Sequence, residues 1–320
     1  MSTQTESTPV TQEQEQDAKS EREHVSTRQR VLAQIQRDTV ARLGAGILAI
    51  MVFLTIFSIV DEFIFNRQII STVLYDPFVG DRHARLESPS FAHPMGTDHQ
   101  GRDILARVIY GTRSSMIVGV AAVSFATITG VTIGLITGYY GKAIDTIGMR
   151  AMDVILSFPA ILLAIALMAV LGRGISGVII AIAVVYTPTF ARITRSEVLS
   201  KKSEEYVEAA RLIGYPDRRI MVREILPNCM TPIVVQFTFS LALAIIVEAA
   251  LSFVGVGLSP PTPSWGLMLS GARDYMRTAW WFSIFPGIAI VVTVLGFNLV
   301  GDSLRDALDP NNQSETEKRL

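Results

Sequence analysis

The chain has 320 residues, of which 49% are hydrophobic and 18% charged, and a net charge of −1; its mean hydropathy is +0.38. The apolar residues lie in long uncharged blocks rather than at amphipathic spacing, which excludes an ordinary soluble domain and predicts an all-α membrane protein. The single cysteine, Cys229, excludes an intrachain disulfide and any cysteine-pair metal site.

Residues 1–41 are read as a cytoplasmic tail, of which residues 1 to about 24, rich in Gln, Glu, Ser and Thr, bury too little apolar surface to offset the entropy of ordering and are predicted to be disordered. From Val25 to Arg42, Val31, Leu32, Ile35 and Val40 partly follow helical spacing among basic residues. This stretch is either a short helix lying on the inner membrane face or a solvated leader. Residues 42–302 carry six apolar runs long enough to cross the hydrocarbon core, at 43–60, 114–139, 154–171, 175–191, 230–252 and 283–301. The first lies too far from Met1 for a cleaved signal peptide and is read as a retained span. Basic residues cluster beside span one (Arg28, Arg30, Arg37, Arg42) and between spans four and five (Arg192, Arg195, Lys201, Lys202, Arg211, Arg218, Arg219, Arg223). The positive-inside rule puts both clusters, and with them both termini, in the cytoplasm.

The 61–113 connection is then external. Turn formers fill its first half, and Ile104, Leu105, Val108 and Ile109 predict a short amphipathic helix leading into span two. His93, Asp98, His99 and Asp103 lie close together in sequence, but without a ligand spacing that defines a metal site. A turn that caps the helix, with Gly96 and Gly101 supplying backbone freedom, is the expectation there, and no metal site is assigned. Span two repeats small residues at Gly130, Gly134 and Gly138, the pattern by which helices approach closely in lipid, against the alternative of chance glycine in a membrane helix. Pro159, Pro188, Pro232 and Pro286 lie in or at the ends of other spans, where kinks are tolerated.

Glu248, in span five, is the one acid read as lying inside a span. It serves either the transport pathway or a hydrogen bond to the turn that follows. In the external loop of about 253–281, Trp265, Trp280 and Trp281 suit the membrane interface, with simple packing as the alternative.

The 192–228 connection predicts two capped helices. Ser203 is the expected N-cap of the first, with Tyr206, Ala209, Ala210 and Ile213 on one face and Gly214 ending it in the left-handed conformation. Asp217 is expected to cap the second, which runs to about Leu226, with Pro227 starting the next element. Small residues at Ala209, Ala210 and Gly214, flanked by Glu208 and Arg211, suit docking of a rigid knob into a groove on another protein. Residues 303–320 form a cytoplasmic C-terminal tail.

"HPMGTDHQGRDILARVIYGTRSS", "DVILSFPAILLAIAL", "YVEAARLIGYPDRRIMVREILPN" and "EAALSFVGVGLSPPTPSWGLML" occur in this order. Together they resemble the permeases of ATP-binding-cassette importers, in the dipeptide/oligopeptide/nickel branch and specifically its second permease, from about Leu43 to Pro310. Glu224 stands where members often carry His, which bears on contacts with the ATPase, and "DHQGRD" departs from the usual residues after the aspartate. The resemblance implies a six-span type I importer permease that forms half of a pathway for di- or oligopeptides. Glu208, Ala209, Ala210, Arg211, Gly214 and Asp217 would belong to the coupling element that sits in a cleft of an ATPase. It further implies a second permease, two ATPase subunits that bind ATP and Mg, an external binding protein and a bacterial inner membrane, with no nucleic acid. Similar permeases carry nickel chelates, glutathione-like compounds or oligosaccharides. The residues agree with dependence on a partner, since "GYYGKA" lacks the spacing and hydroxyl of a phosphate-binding loop. A self-sufficient carrier lacks a chain of intramembrane charges here, and a membrane enzyme lacks any catalytic constellation, His24, His83, His93 and His99 all lying outside the spans.

Overall fold

The computed structural model describes residues 38–308, so the predicted tail before Asp38, with most of its interfacial-helix stretch, and the C-terminal tail beyond Leu308 lie outside the described residues. Among the described residues, five helices are long and apolar enough to cross a membrane. They are α1 (Thr39–Phe63), α3 (Ile104–Tyr140), α6 (Ile175–Lys201), α10 (Met230–Val254) and α12 (Trp281–Leu308). Between α1 and α3 lies the short α2 (Gln68–Val73), and between α10 and α12 lies α11 (Trp265–Ala272). The third predicted span is not a straight helix. It is divided between α4 (Lys142–Leu156) and α5 (Ala160–Leu171), which meet at 92° across Ser157, Phe158 and Pro159. Pro159 explains the break, because its ring cannot continue the α4 helix and it disfavours a helical residue before it.

The contact of α3 with α6 decides whether this bent pair crosses. A Cβ on Gly130 would sit 2.6 Å from Phe190 Cβ and from the Thr187 carbonyl, one on Gly134 would strike the Ala191 carbonyl, and one on Gly138 would lie 2.9 Å from Val198 Cβ. The contacts advance in the same direction on both helices, so α3 and α6 run parallel. Two parallel helices joined by one connection require that connection to return across the bundle, so α4 and α5 together supply a sixth crossing. At about 1.5 Å per residue, the 12 residues of α5 reach only about 18 Å of the roughly 30 Å hydrocarbon thickness, and α4, at 92° to α5, adds little along the same direction.

Around the α3/α6 pair, α10 and α12 complete the core, and α1 lies at the rim against α12, where Gly44 meets Leu299 and Gly296 meets Ile47. Val40, Leu43, Ile50, Val52, Phe53 and Ile56 of α1 face outward, as lipid contact requires.

The expected short helix before span two is the first part of α3 itself, which runs unbroken for 37 residues. Asp103 caps it by accepting from Ala106 N at 2.8 Å, and its second oxygen meets His93 Nδ1 at 2.9 Å. Asp98 accepts from Arg102 Nε at 2.7 Å, and Arg107 approaches the same oxygen. His99 stacks between Tyr275 and Phe282, and burial pushes its imidazole below the usual histidine range, which keeps it neutral at physiological pH. Each of the four residues considered for a metal thus has a packing role, with Gly96 and Gly101 at φ +75° and +77° in the turn between them.

Two tryptophans differ from the interface expectation: Trp265 is fully buried and donates to Val108 O at 3.0 Å, and Trp281 donates to Thr97 O at 3.3 Å, leaving only Trp280 exposed. Asp61, like Glu248, is a buried acid within a membrane-crossing helix. The sequence reading ends span one at residue 60, whereas α1 continues to Phe63. The Asp61 carboxylate accepts from Ile69 N, Ile70 N and Tyr110 Oη at 2.9, 3.2 and 2.6 Å, tying α2 to α3.

Because α3 and α6 meet through backbone, Gly134→Leu is expected to force the helices apart at a cost of about 1–3 kcal/mol or more. A thermal melt of the detergent-purified protein checks this; an unchanged transition would mean that the two helices do not touch at Gly134.

Candidate functional site

The chain between α6 and α10 forms one compact protrusion. Lys202 Nζ donates to the Gly138 carbonyl at the end of α3, at 3.0 Å, fixing where the protrusion leaves the bundle. Ser203 is not the N-cap: its hydroxyl donates to Ser200 O, and α7 (Glu205–Leu212) begins after Glu204 without a side-chain cap. Gly214 has φ +84°, and the helix closes with Gly214 N donating to Arg211 O at 2.9 Å and Tyr215 N to Ala210 O at 3.1 Å. These two bonds are the Schellman pair, which needs a residue tolerant of positive φ at this point.

Asp217 begins the next helix and does not cap it, because its carboxylate accepts from Tyr139 Oη at 2.7 Å. Arg211 lies over the same Tyr139 ring, 5.5 Å from its centroid, and Arg219 covers Tyr215 at 3.6 Å. The second helix reads α8 (Asp217–Arg219), a π turn (Ile220–Ile225) and α9 (Leu226–Asn228). Pro227 lies within this run rather than after it. Its missing N–H follows the widened π turn, and Asn228 Nδ2 donates to Glu224 O at 2.7 Å.

Val207 and Ala210, one turn apart, face inward and join Ile220, Met221, Ile225 and Cys229 in the same core as the spans. Ala210 therefore packs on its own chain and is not part of an outward small-residue face. Burial pushes the Cys229 thiol up to about 11, so it stays protonated. The outward face carries Glu208, Ala209, Arg211, Leu212, Ile213 and Gly214. Leu212 is 89% exposed and Ile213 70%, two large aliphatic side chains at the tip of a helix held rigidly from behind. Sequence reasoning missed Leu212 and the brace from Tyr139, since nothing in the local pattern links a residue of span two to Asp217.

At the opposite end of the bundle, Glu248 is fully buried. Ser115 Oγ of α3 donates to Oε2 at 3.0 Å and Ser252 Oγ to Oε1 at 2.9 Å, and Ser264, the N-cap of α11, is a third hydroxyl at the carboxylate. Ser252 Oγ accepts from Leu258 N, and Ser264 Oγ from Leu267 N, both at 3.2 Å. The carboxylate thereby organises two turns through intervening hydroxyls, not by the direct backbone bond that is one of its two sequence readings. Among the described residues no three His, Cys, Asp or Glu side chains gather as a metal cluster.

Residues 130–313 match the family described as "Binding-protein-dependent transport system inner membrane component". The chain is 49% identical to the dipeptide transport system permease protein of Alkalihalophilus pseudofirmus over 72% of this chain and 76% of that protein. It is 44% identical to the di/tripeptide transport system permease protein of Pseudomonas aeruginosa, over 74% of this chain and 80% of the other. A glutathione transport system permease protein of Pectobacterium atrosepticum is 47% identical over 71% of this chain and 76% of its own length. Among solved structures, the inward-facing MetNI methionine ABC transporter superposes with a TM-score of 0.53 at 16% identity, covering 63% of this chain and 97% of its counterpart, a likeness of fold.

Replacing Glu248 by Gln puts an amide N–H₂ among serine donors and is expected to cost about 1–3 kcal/mol. Thermal melts together with uptake at a permissive temperature check its role: a lowered melt with normal uptake is expected, and normal melting with lost uptake would move Glu248 into the pathway.

Proposed function

The chain belongs to the family of binding-protein-dependent transport system inner membrane components, and we propose that it pairs with a second, similar permease to import di- or oligopeptides. The observation that carries the coupling part of this reading is the braced tip of α7. Its outer face presents Leu212 and Ile213 between the charges of Glu208 and Arg211, while Val207, Ala210 and Tyr139 hold it from behind. An aliphatic pair on a rigid knob is costly in water and productive in a groove, because burying such side chains contributes about 1.5–3 kcal/mol each. The groove belongs to an ATPase subunit. Two such subunits bind ATP and Mg, and their closure moves the knob and reorients the spans.

The α7 end then faces the cytoplasm, in keeping with its Lys and Arg. Residues 64–103 and the α10 to α11 turn lie outside, where an external binding protein delivers cargo. Peptide is the cargo favoured by the relatives named for dipeptide and di/tripeptide transport. The relative named for glutathione transport supports a second reading in which the cargo is a glutathione-like compound.

Glu208→Lys, and separately Leu212→Asp, is expected to abolish peptide-dependent uptake by about ten-fold or more, the loss that accompanies about 1.4 kcal/mol, while the chain remains in the membrane. Uptake of labelled dipeptide by cells, with immunodetection of the chain, tests this; normal uptake by both variants would sink the coupling assignment.

A further inference from the structure

Helix α4 is attached to the bundle in an unusual way. Of its 15 residues only Met152 is buried, so apolar packing holds it weakly. It lies between two bends: Gly141 and Lys142, at φ +65° and +49°, join it to α3, and the 92° elbow joins it to α5. Between these bends it touches α3 at one close point, where Gly148 lies against the Thr137 methyl, and is held to α6 by ion pairs. Asp145 binds Arg195 through two of its three guanidinium nitrogens, Nε to Oδ1 and Nη2 to Oδ2, the latter at 2.5 Å, and Asp153 binds Arg192 at 2.6 Å. A cleft of about 530 Å³ separates the helices here, lined by these four residues with Thr146, Met149 and Arg150. The pairs thus bridge a gap that side chains do not fill.

Helix α6 runs from this contact straight to Lys201, where the protrusion carrying α7 begins. Its end is locked to α3 by Lys202 on the Gly138 carbonyl. A displacement of the protrusion therefore moves the ends of α6 and α3 together, and reaches α4 through Arg192 and Arg195. An arm with a bend at each end and a grip in its middle turns at its bends, and α5 lies beyond the elbow.

We propose that α4 is a transmission arm, and that Asp145 and Asp153 are positioning residues by which movement of α6 is passed to the sixth crossing. This rests on the importer reading. The bidentate, partly buried Asp145–Arg195 pair is the firm grip, and the more exposed Asp153–Arg192 pair sets the angle of the arm.

The experiment uses the whole transporter, with its second permease, ATPases and binding protein, in proteoliposomes supplied with a dipeptide. The readout is peptide moved per ATP hydrolysed, which a merely structural role would leave unchanged. Asp145→Asn combined with Asp153→Asn is expected to lower this ratio about five-fold or more, the lower end of ordinary coupling between sites, while the complex stays assembled and hydrolyses ATP. An unchanged ratio overturns the proposal. A second variant covers failure of the first to assemble: Asp153→Cys with Arg192→Cys, joined by a short bifunctional thiol reagent. Because arm and shaft move as one body, the cross-linked complex is expected to keep its ratio. A block of transport by the cross-link would show that the pair opens in each cycle and overturns the transmission role. Absence of uptake by the unmodified complex would instead remove the importer reading itself.

Discussion

Helices α3 and α6 touch along their backbones, and most of the molecule's geometry follows from that contact. In lipid there is no hydrophobic force between helices, so close packing has to supply the association, and a glycine stripe allows it. Gly130, Gly134 and Gly138 set the two helices parallel and in register. Parallel neighbours force the chain between them to cross back, and Pro159 makes it do so with a bend. The same helix α3 reaches both ends of the bundle. Ser115 near one end donates to Glu248, and Tyr139 at the other donates to Asp217. One rigid rod thus fixes the distance between the polar hub on one side and the braced protrusion on the other.

Acids do similar work at the end of the bundle opposite the protrusion. Asp61, Asp98, Asp103 and Glu248 are all buried; the three aspartates accept directly from backbone N–H groups of adjoining turns, whereas Glu248 accepts from the Ser115 and Ser252 hydroxyls, and Ser252 Oγ in turn accepts from Leu258 N. A carboxylate accepts up to about four hydrogen bonds, so one buried acid settles more of a tight turn than a serine or asparagine could. The cost of burying charge is offset only if the donors are held in place, which explains why these acids sit against long helices rather than in open loops.

The helical class, the span positions and the glycine stripe were legible because each is a local pattern: an uncharged run, a repeat of four, a turn former. Gly214 was legible for the same reason, since a glycine after EAARLI has one conformational use. Relations between distant segments were not. Ser203 looked like a cap because the local pattern allowed it, but Ser200 O lay closer to its hydroxyl. Asp217 likewise looked like a cap, and was drawn away by a tyrosine 78 residues earlier. Ala210 reads as one of a pair of small residues, and only the position of Ile220 and Ile225 behind it shows that it faces inward. The arginines of the 192–228 connection carry a charge pattern that marks a side of the membrane, yet two of them face α4 acids that no spacing rule connects to them.

The protrusion, in its proposed coupling role, has to satisfy opposite demands at its two ends. Its base must not yield, and here the base shares the core of the spans through Val207, Ala210, Ile220 and Ile225, with Lys202, Asp217 and Arg211 bound to the last turn of α3. Its tip must be free of its own chain so that a partner can take hold of it. A Cβ on Gly214 would meet nothing within 4 Å, and Leu212 and Ile213 stand clear beside it. If the tip were packed down it could not be grasped, and if the base were a solvated loop a pull on the tip would be lost in bending the loop. The sequence separates these demands within ten residues by alternating the faces of a single two-turn helix, so that the side chains that anchor it and those left exposed are adjacent in the chain.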